Sequence, residues 1–223
     1  MMITFNNICF SYSNKEIFDK ASVEINKGEF VFIVGESGIG KTTLLKLIYC
    51  DIKPISGNVI FDDFNSVNID KTEIPILRRK IGIVFQDFKL LNDRNIYENI
   101  AVPLYITSEK KDSIKKRVYD IASKLGLMDS LNLFPYDLSG GEQQRVAIGR
   151  AMITEPILLM ADEPTGNLDP FVAIDIVKLL NDINKTGTTL IMATHNFDIV
   201  KKFNDKRILQ LKEGKIFDVR LKV

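Results

Sequence analysis

Hydrophobic positions change their period along this chain. Near the start they come in short runs broken by turn residues. "ITFNNICFSY", "ASVEINKGEF" with a turn at Lys27 and Gly28, and "EFVFIVG" read as successive strands. The next apolar run, "LLKLIY", predicts a helix from Lys41 to about Cys50. "SGNVIFDD" and "KIGIVFQ" predict two further strands, the second ending at Gln86. From Asp87 to about Thr154 the strand signal largely disappears. "SIKKRVYDIASKLGL" sets Ile114, Val118, Ile121, Ala122 and Leu125 on one helical face. "SGGEQQRVAIGRAMI" reads as a helix with Ser139 as its N-cap. Strands return at "PILLMAD" and "TTLIMAT", and each precedes a helical stretch, "PFVAIDIVKLLNDINK" and "NFDIVKKF". Alternating strands and helices predict parallel strands joined by helical crossovers, hence an α/β fold. No linker rich in Pro, Gly or Ser interrupts the chain. The expectation is one domain, with a core of about residues 1–86 and 155–223 and a helical insertion at about 87–154.

Composition narrows the classes. With 223 residues, 45% hydrophobic and 26% charged, the chain suffices for one sizeable core. A net charge of +1 gives no overall basic field, so no nucleic-acid partner is expected. The basic run Lys110 to Arg117 reads as a solvated helix face. Cys9 and Cys50 form no C-x-x-C pair and suit reduced thiols in a cytoplasmic chain. "MMITFNNICF" does not read as a signal peptide. No apolar stretch approaches the roughly 18 residues of a membrane span. Work at a membrane would need a second, membrane-embedded chain.

The candidate chemistry starts at "GESGIGKTT". Gly35, four residues, Gly40, Lys41 and Thr42 match G-x-x-x-x-G-K-[ST], with a strand before and a helix after. Glycines let backbone approach phosphate without a Cβ clash. The amides from Gly35 through Glu36, Ser37, Gly38, Ile39, Gly40, Lys41, Thr42 and Thr43 would form an anion nest at a helix start. Lys41 would reach the β and γ phosphates, and the Thr42 hydroxyl would bind Mg²⁺. The pattern predicts a P-loop. Asp162 and Glu163 emerge together from the apolar run Leu158 to Ala161. Asp162 suits a Mg²⁺ contact through water, and Glu163 suits a general base for an attacking water. His195, the sole histidine, follows "TLIMAT", at the strand end where open α/β sheets bind ligands. It would hydrogen-bond the γ phosphate. Gln86, placed likewise, would touch Mg²⁺ and water while neutral. "LSGGEQQR" adds a second helix start suited to anions. Two phosphate binders in one chain suggest two chains meeting head to tail, each completing the other's site.

The P-loop, Gln86, "LSGGEQ", "LLMADE", "NLD" and His195 stand in the order that resembles the ABC ATPase family, over essentially the whole chain. The resemblance implies a P-loop NTPase core with a mostly parallel sheet, an N-terminal antiparallel β subdomain and an inserted helical subdomain. It implies ATP and Mg²⁺ as cofactors and a nucleotide-sandwich homodimer formed on ATP binding. Ser139 and Gly141 would contact the γ phosphate held by the partner's P-loop. Asp169 would lie at the dimer seam, and Tyr12 would stack on adenine.

Within the family, "ADEPTGNLD" resembles ATPases that serve lipoprotein release, macrolide export and cell division. Arg78 to Leu104 looks most like the cell-division branch, most sharply in "DR" after "LLN". Ile39 and Asn167 depart from common family residues, and neither is expected to carry chemistry. The implied protein is an ATPase subunit on the inner face of the cell membrane. Its partner would be a four-span membrane subunit that relays the signal to cell-wall hydrolases. That subunit would dock around Gln86 to Leu91, with Phe88 and Leu91 exposed and Phe85 in the core. Rival readings are a lipoprotein-release or macrolide-export ATPase, and a soluble ABC protein acting on nucleic acid or the ribosome. The last usually carries duplicated cassettes, coiled-coil inserts or basic extensions, which this sequence lacks. A GTPase would want N-K-x-D, and "NKTG" at Asn184 lacks that aspartate.

Overall fold

A computed structural model describes residues 1–13, 15–107 and 109–220. In chain order the elements are β1 (Ile3–Tyr12), β2 (Lys15–Ile25), β3 (Phe30–Val34), α1 (Lys41–Ile48), β4 (Ser56–Phe61), β5 (Phe64–Asn65), α2 (Ile74–Arg79) and β6 (Ile81–Val84). They continue with α3 (Ile96–Tyr105), α4 (Lys111–Leu125), α5 (Gly140–Met152), β7 (Leu158–Asp162), α6 (Pro170–Lys185), β8 (Thr189–Thr194), α7 (Phe197–Lys202), β9 (Arg207–Lys212) and β10 (Lys215–Val219).

Two sheets organise the molecule. An antiparallel sheet has the order β2-β1-β4-β5. The larger sheet runs β10-β9-β3-β8-β7-β6 and is parallel except at β10. Its central strands are apolar without a break, as strands covered on both faces must be. Every residue of β3 and β8 is buried. Alternate side chains feed two cores. Phe30, Phe32 and Val34 enter the layer of α3 to α7, while Val31 and Ile33 face α1 and the antiparallel sheet. The parallel strands therefore all end on one edge, where the loops of interest gather.

Several expectations are adjusted. Strand β6 stops at Val84, so Gln86 stands two residues beyond the ladder rather than at its last position. Phe85 is half-buried and outside the main core. Phe88 folds back against the helical core, half-buried with a left-handed φ of 57°, instead of facing solvent. Leu91 is exposed, but its amide and carbonyl are both bonded to Asn99. Elements β5, α2, α3, β9 and β10 had no counterpart in the sequence reading. Helix α3 did carry a local signal, since Asn95 and Glu98 form a reciprocal capping box.

Candidate functional site

The sequence-selected residues converge at the ends of β3, β7 and β8. The loop after β3 turns through Gly38 and Gly40, both at positive φ, and opens α1. At Gly40 a Cβ would lie 2.6 Å from the Ile17 side chain, and φ is 119°, so glycine is required there. Helix α1 begins without a side-chain cap and without an acid in its first turn. Its amide end is thus left to an external anion.

Lys41 is only 6% exposed. Its Nζ donates to Gly35 O at 3.0 Å and Glu36 O at 3.1 Å, and pairs with Glu163 Oε1 at 3.2 Å. Thr42 Oγ1 donates to Asp162 Oδ2 at 2.7 Å. Asp162 Oδ1 is buried with no hydrogen-bond partner. Burial holds the Asp162 carboxyl above the usual carboxylate range, against the lowering effect of the Thr42 bond and with help from the Glu163 charge. A buried acceptor left unpaired beside a hydroxyl is a donor set that fits a hard cation such as Mg²⁺.

Glu163 has φ 49°, a left-handed conformation costly for a side-chain-bearing residue and common at functional sites. Its amide donates to Ala193 O at 2.9 Å, fixing the end of β7 against β8. Its Oε2 accepts from the His195 amide at 3.2 Å and lies 2.9 Å from His195 Nδ1. Lys41, Glu163 and His195 therefore form one chain of contacts across three strand ends. Gln86 joins through backbone and packing. Its carbonyl accepts from Asn167 Nδ2 at 3.1 Å. A Cβ at Gly166 would lie 3.0 Å from Gln86 Nε2, so the absent side chain makes room for the amide. Tyr12 is 44% exposed and packs edge-on against Phe10 at 4.8 Å. It pairs in register with Lys15, whose Nζ donates to Gly38 O at 3.3 Å. The ring thus stands at the hairpin that touches the P-loop.

The remaining candidates sit apart. Ser139 caps α5 and is locked in a reciprocal box with Glu142. Ser139 N–H and Oγ–H donate to Glu142 Oε2 at 2.9 and 2.6 Å. These bonds hold the Glu142 carboxyl below its usual range. Gly141 packs on Val172 of α6, and Asp169 caps α6 through the Phe171 and Val172 amides. Among the described residues, no hydrogen bond joins this group to Lys41, Asp162, Glu163 or His195.

Two supporting residues escaped the sequence reading. Asn167, taken as chemically silent, holds the Gln86 carbonyl. Arg150, near the end of α5, donates to Phe88 O at 2.7 Å and Lys89 O at 2.6 Å. A cation among the apolar residues of "VAIGRAM" was the available signal for Arg150.

A phosphate-type helix start, paired acids at a strand end and a capped Ser-Gly-Gly helix together define a nucleotide-binding cassette. The chain belongs to the ABC transporter family, whose model matches residues 18–166. Its relatives include the cell division ATP-binding protein FtsE of Bacillus subtilis, 44% identical over 214 residues, covering 96% of this chain and 93% of that protein. FtsE of Mycobacterium tuberculosis is 43% identical over 97% of this chain and 94% of that protein. FtsE of Escherichia coli is 41% identical over 96% of each. Among solved structures, cbiO1 of Clostridium perfringens, part of the ABC transporter complex cbiONQ, matches with TM-score 0.88 and 32% identity over 97% of this chain and 86% of that one. The ATP-binding cassette MJ0796, dimeric and bound to ADP and Pi in a post-hydrolysis state, matches with TM-score 0.86 and 33% identity over 100% of both chains. No helix among the described residues is long and apolar enough to cross a membrane.

Proposed function

We propose that the chain is the ATP-hydrolysing subunit of a membrane-associated cell-division complex. The observation that carries the chemistry is the contact chain Lys41–Glu163–His195, set beside the Thr42–Asp162 pair. Lys41 exchanges its carbonyl and carboxylate partners for β and γ phosphate oxygens. The loop amides of Gly35 to Thr43 cradle the phosphates at the start of α1. Thr42, Asp162 and Gln86 would hold Mg²⁺, which when bound would neutralise phosphate charge. Glu163 takes a proton from the water that attacks the γ phosphorus, while the bond to the β-phosphate oxygen breaks and ADP leaves. His195 orients the Glu163 carboxylate and faces the γ phosphate. Tyr12 stacks on adenine. Ser139, Gly141 and Asp169 act on the nucleotide of a second copy, so that two chains close over two ATP molecules.

The FtsE relatives support the cell-division assignment. The partner in this reading is a membrane subunit of the four-span type, which the sequence resemblance implies. The docking surface is better placed than on Phe88 and Leu91. A cleft of about 590 Å³ opens beside edge strand β6, lined by Pro75, Ile81, Ile83, Pro103, Leu104 and Ile106. Ile106 is 71% exposed there. Arg78, Arg79, Arg117 and Arg150 also line it, and a sheet-edge cleft of apolar and basic residues suits a short cytoplasmic helix of such a subunit that carries both apolar and acidic side chains. Ile106→Asp should abolish co-sedimentation with membranes that contain the partner and leave the melting temperature within about 2 °C, since the side chain is already exposed. Unchanged recruitment removes the cleft from the account.

The reaction is tested with Glu163→Gln. The amide cannot take the proton, so hydrolysis should fall by roughly 10²–10⁴-fold while ATP binding persists. ATP should then hold this variant as a dimer on a sizing column. Normal hydrolysis, or a monomer with ATP present, contradicts the roles given to Glu163.

A further inference from the structure

Helix α5 is loaded at both ends. Its first turn is capped by Ser139, and Arg150 lies eleven residues later, about 16 Å along the axis at 1.5 Å per residue. Arg150 is half-buried, and burial pulls its guanidinium below its usual pKa. It is not paired with a carboxylate among the described contacts. It donates instead to two adjacent backbone carbonyls, Phe88 O at 2.7 Å and Lys89 O at 2.6 Å. Those two residues are both left-handed, at φ 57° and 51°. Two consecutive side-chain-bearing residues in that region form a costly turn, which persists only where surrounding groups hold it. The two terminal nitrogens of one planar guanidinium each hold one of these carbonyls, so a single fork spans the turn.

This turn begins two residues after Gln86. Gln86 is held from its other side by Asn167, which donates to the Gln86 carbonyl at 3.1 Å. Asn167 lies two residues before Asp169. The Gln86 segment is therefore gripped between the α5 helix and the segment that leads into α6. Arg150 also lines the cleft beside β6. One side chain thus touches the cleft, the Gln86 loop and the helix that presents Ser139.

We propose that Arg150 is a positioning residue for ATP hydrolysis: it clamps the Phe88–Lys89 turn, sets Gln86 against the catalytic acids, and ties that setting to the Ser139 end of α5. The inference rests on the proposed function, because it assigns Arg150 a part in the same site. A group that acts only through Gln86 has a distinct kinetic signature. Its loss lowers kcat without weakening nucleotide binding, and costs nothing further once Gln86 is gone.

The experiment uses the full chain with Arg150→Lys, Gln86→Ala and the double variant. Lysine keeps the charge and the stem but cannot span two carbonyls in one plane. Arg150→Lys should lower kcat about 10-fold through misplacement of Gln86, with KM for ATP within about two-fold. The double variant should be no slower than Gln86→Ala alone, within about two-fold. Hydrogen exchange at the amides of residues 86–91 should be faster in Arg150→Lys, with exchange in β3 and β7 unchanged. Losses that multiply in the double variant, a rise in KM with kcat preserved, or unchanged exchange at residues 86–91 would each overturn the proposal. A lysine variant that fails to fold would overturn it too, leaving Arg150 a purely stabilising group. If the wild-type chain hydrolyses no ATP, the proposed function fails on its own, and the exchange measurement still reads the clamp directly.

Discussion

The starts of helices α1 and α5 carry similar glycine-rich sequences and have opposite chemistry. Helix α1 opens at Gly40 with no side-chain cap and no acid in its first turn. Its positive dipole end faces the pocket of Lys41, Thr42 and Asp162, where one carboxylate oxygen is left unpaired. Helix α5 opens at Ser139 with a reciprocal capping box, and the Glu142 carboxylate already sits on its amide end. The first is left open, with Lys41, Asp162, Glu163 and His195 of the same chain gathered beside it. The second satisfies itself and, among the described residues, makes no hydrogen bond to Lys41, Asp162, Glu163 or His195. A short polar helix start binds a local ligand only if its own sequence leaves it open. Where it is closed by a carboxylate, a phosphate must displace that carboxylate, and this is affordable when a second surface arrives with it.

The largest effect expected at the open end is from Lys41→Ala. Lys41 supplies charge-assisted bonds worth about 1.5–3 kcal/mol each, so losing contacts to two phosphate oxygens should weaken ATP binding by roughly 10²–10⁴-fold. Titration with a fluorescent ATP analogue measures it. Affinity within two-fold of wild type would mean that α1 is not the phosphate site.

A smaller effect of opposite sign should follow Asp162→Asn. Burial raises the Asp162 pKa, so the folded chain binds that proton more tightly than the unfolded chain does. The group therefore detracts from stability above its raised folded pKa. Stability recovers as pH falls through that value toward the ordinary carboxylate range. The asparagine variant should lack this dependence and melt higher at pH 7 by roughly 3 °C, on the order of 1 kcal/mol, while losing Mg²⁺-dependent hydrolysis. Melting curves at pH 7 and pH 5 decide it. A variant that melts lower at pH 7 would show that Asp162 is a structural partner of Thr42 rather than a strained ligand.

Much of the open end was legible in the sequence, because its residues lie at fixed spacings on a strand-loop-helix unit. Gly35 to Thr43 and Asp162-Glu163 needed only local patterns and the rule that parallel strands end on one edge. The buried strands β3, β7 and β8 announced themselves as unbroken apolar runs. The rest depended on contacts that no local period encodes. Arg150 reaches carbonyls 61 and 62 residues away, and Asn167 reaches one 81 residues away. Phe88 read as surface because it lies beyond the strand and three residues from Leu91, yet the left-handed turn carries the ring back onto the core. The β9–β10 hairpin was missed because β9 mixes Arg207, Gln210 and Lys212 with its apolar residues, although it pairs beside β3 in the middle of the sheet.

The central claim is that the open end of α1 and the closed end of α5 form one site only between two chains. Lys41→Ala removes the first end, and Ser139→Arg blocks the second with bulk and charge. Each variant alone should hydrolyse almost no ATP. In an equal mixture, a dimer of one chain of each kind holds one composite site in which both ends are intact. Random pairing should then restore about a quarter of the wild-type rate per chain. A mixture no more active than either variant alone, with mixed dimers shown to be present, would contradict the two-chain site.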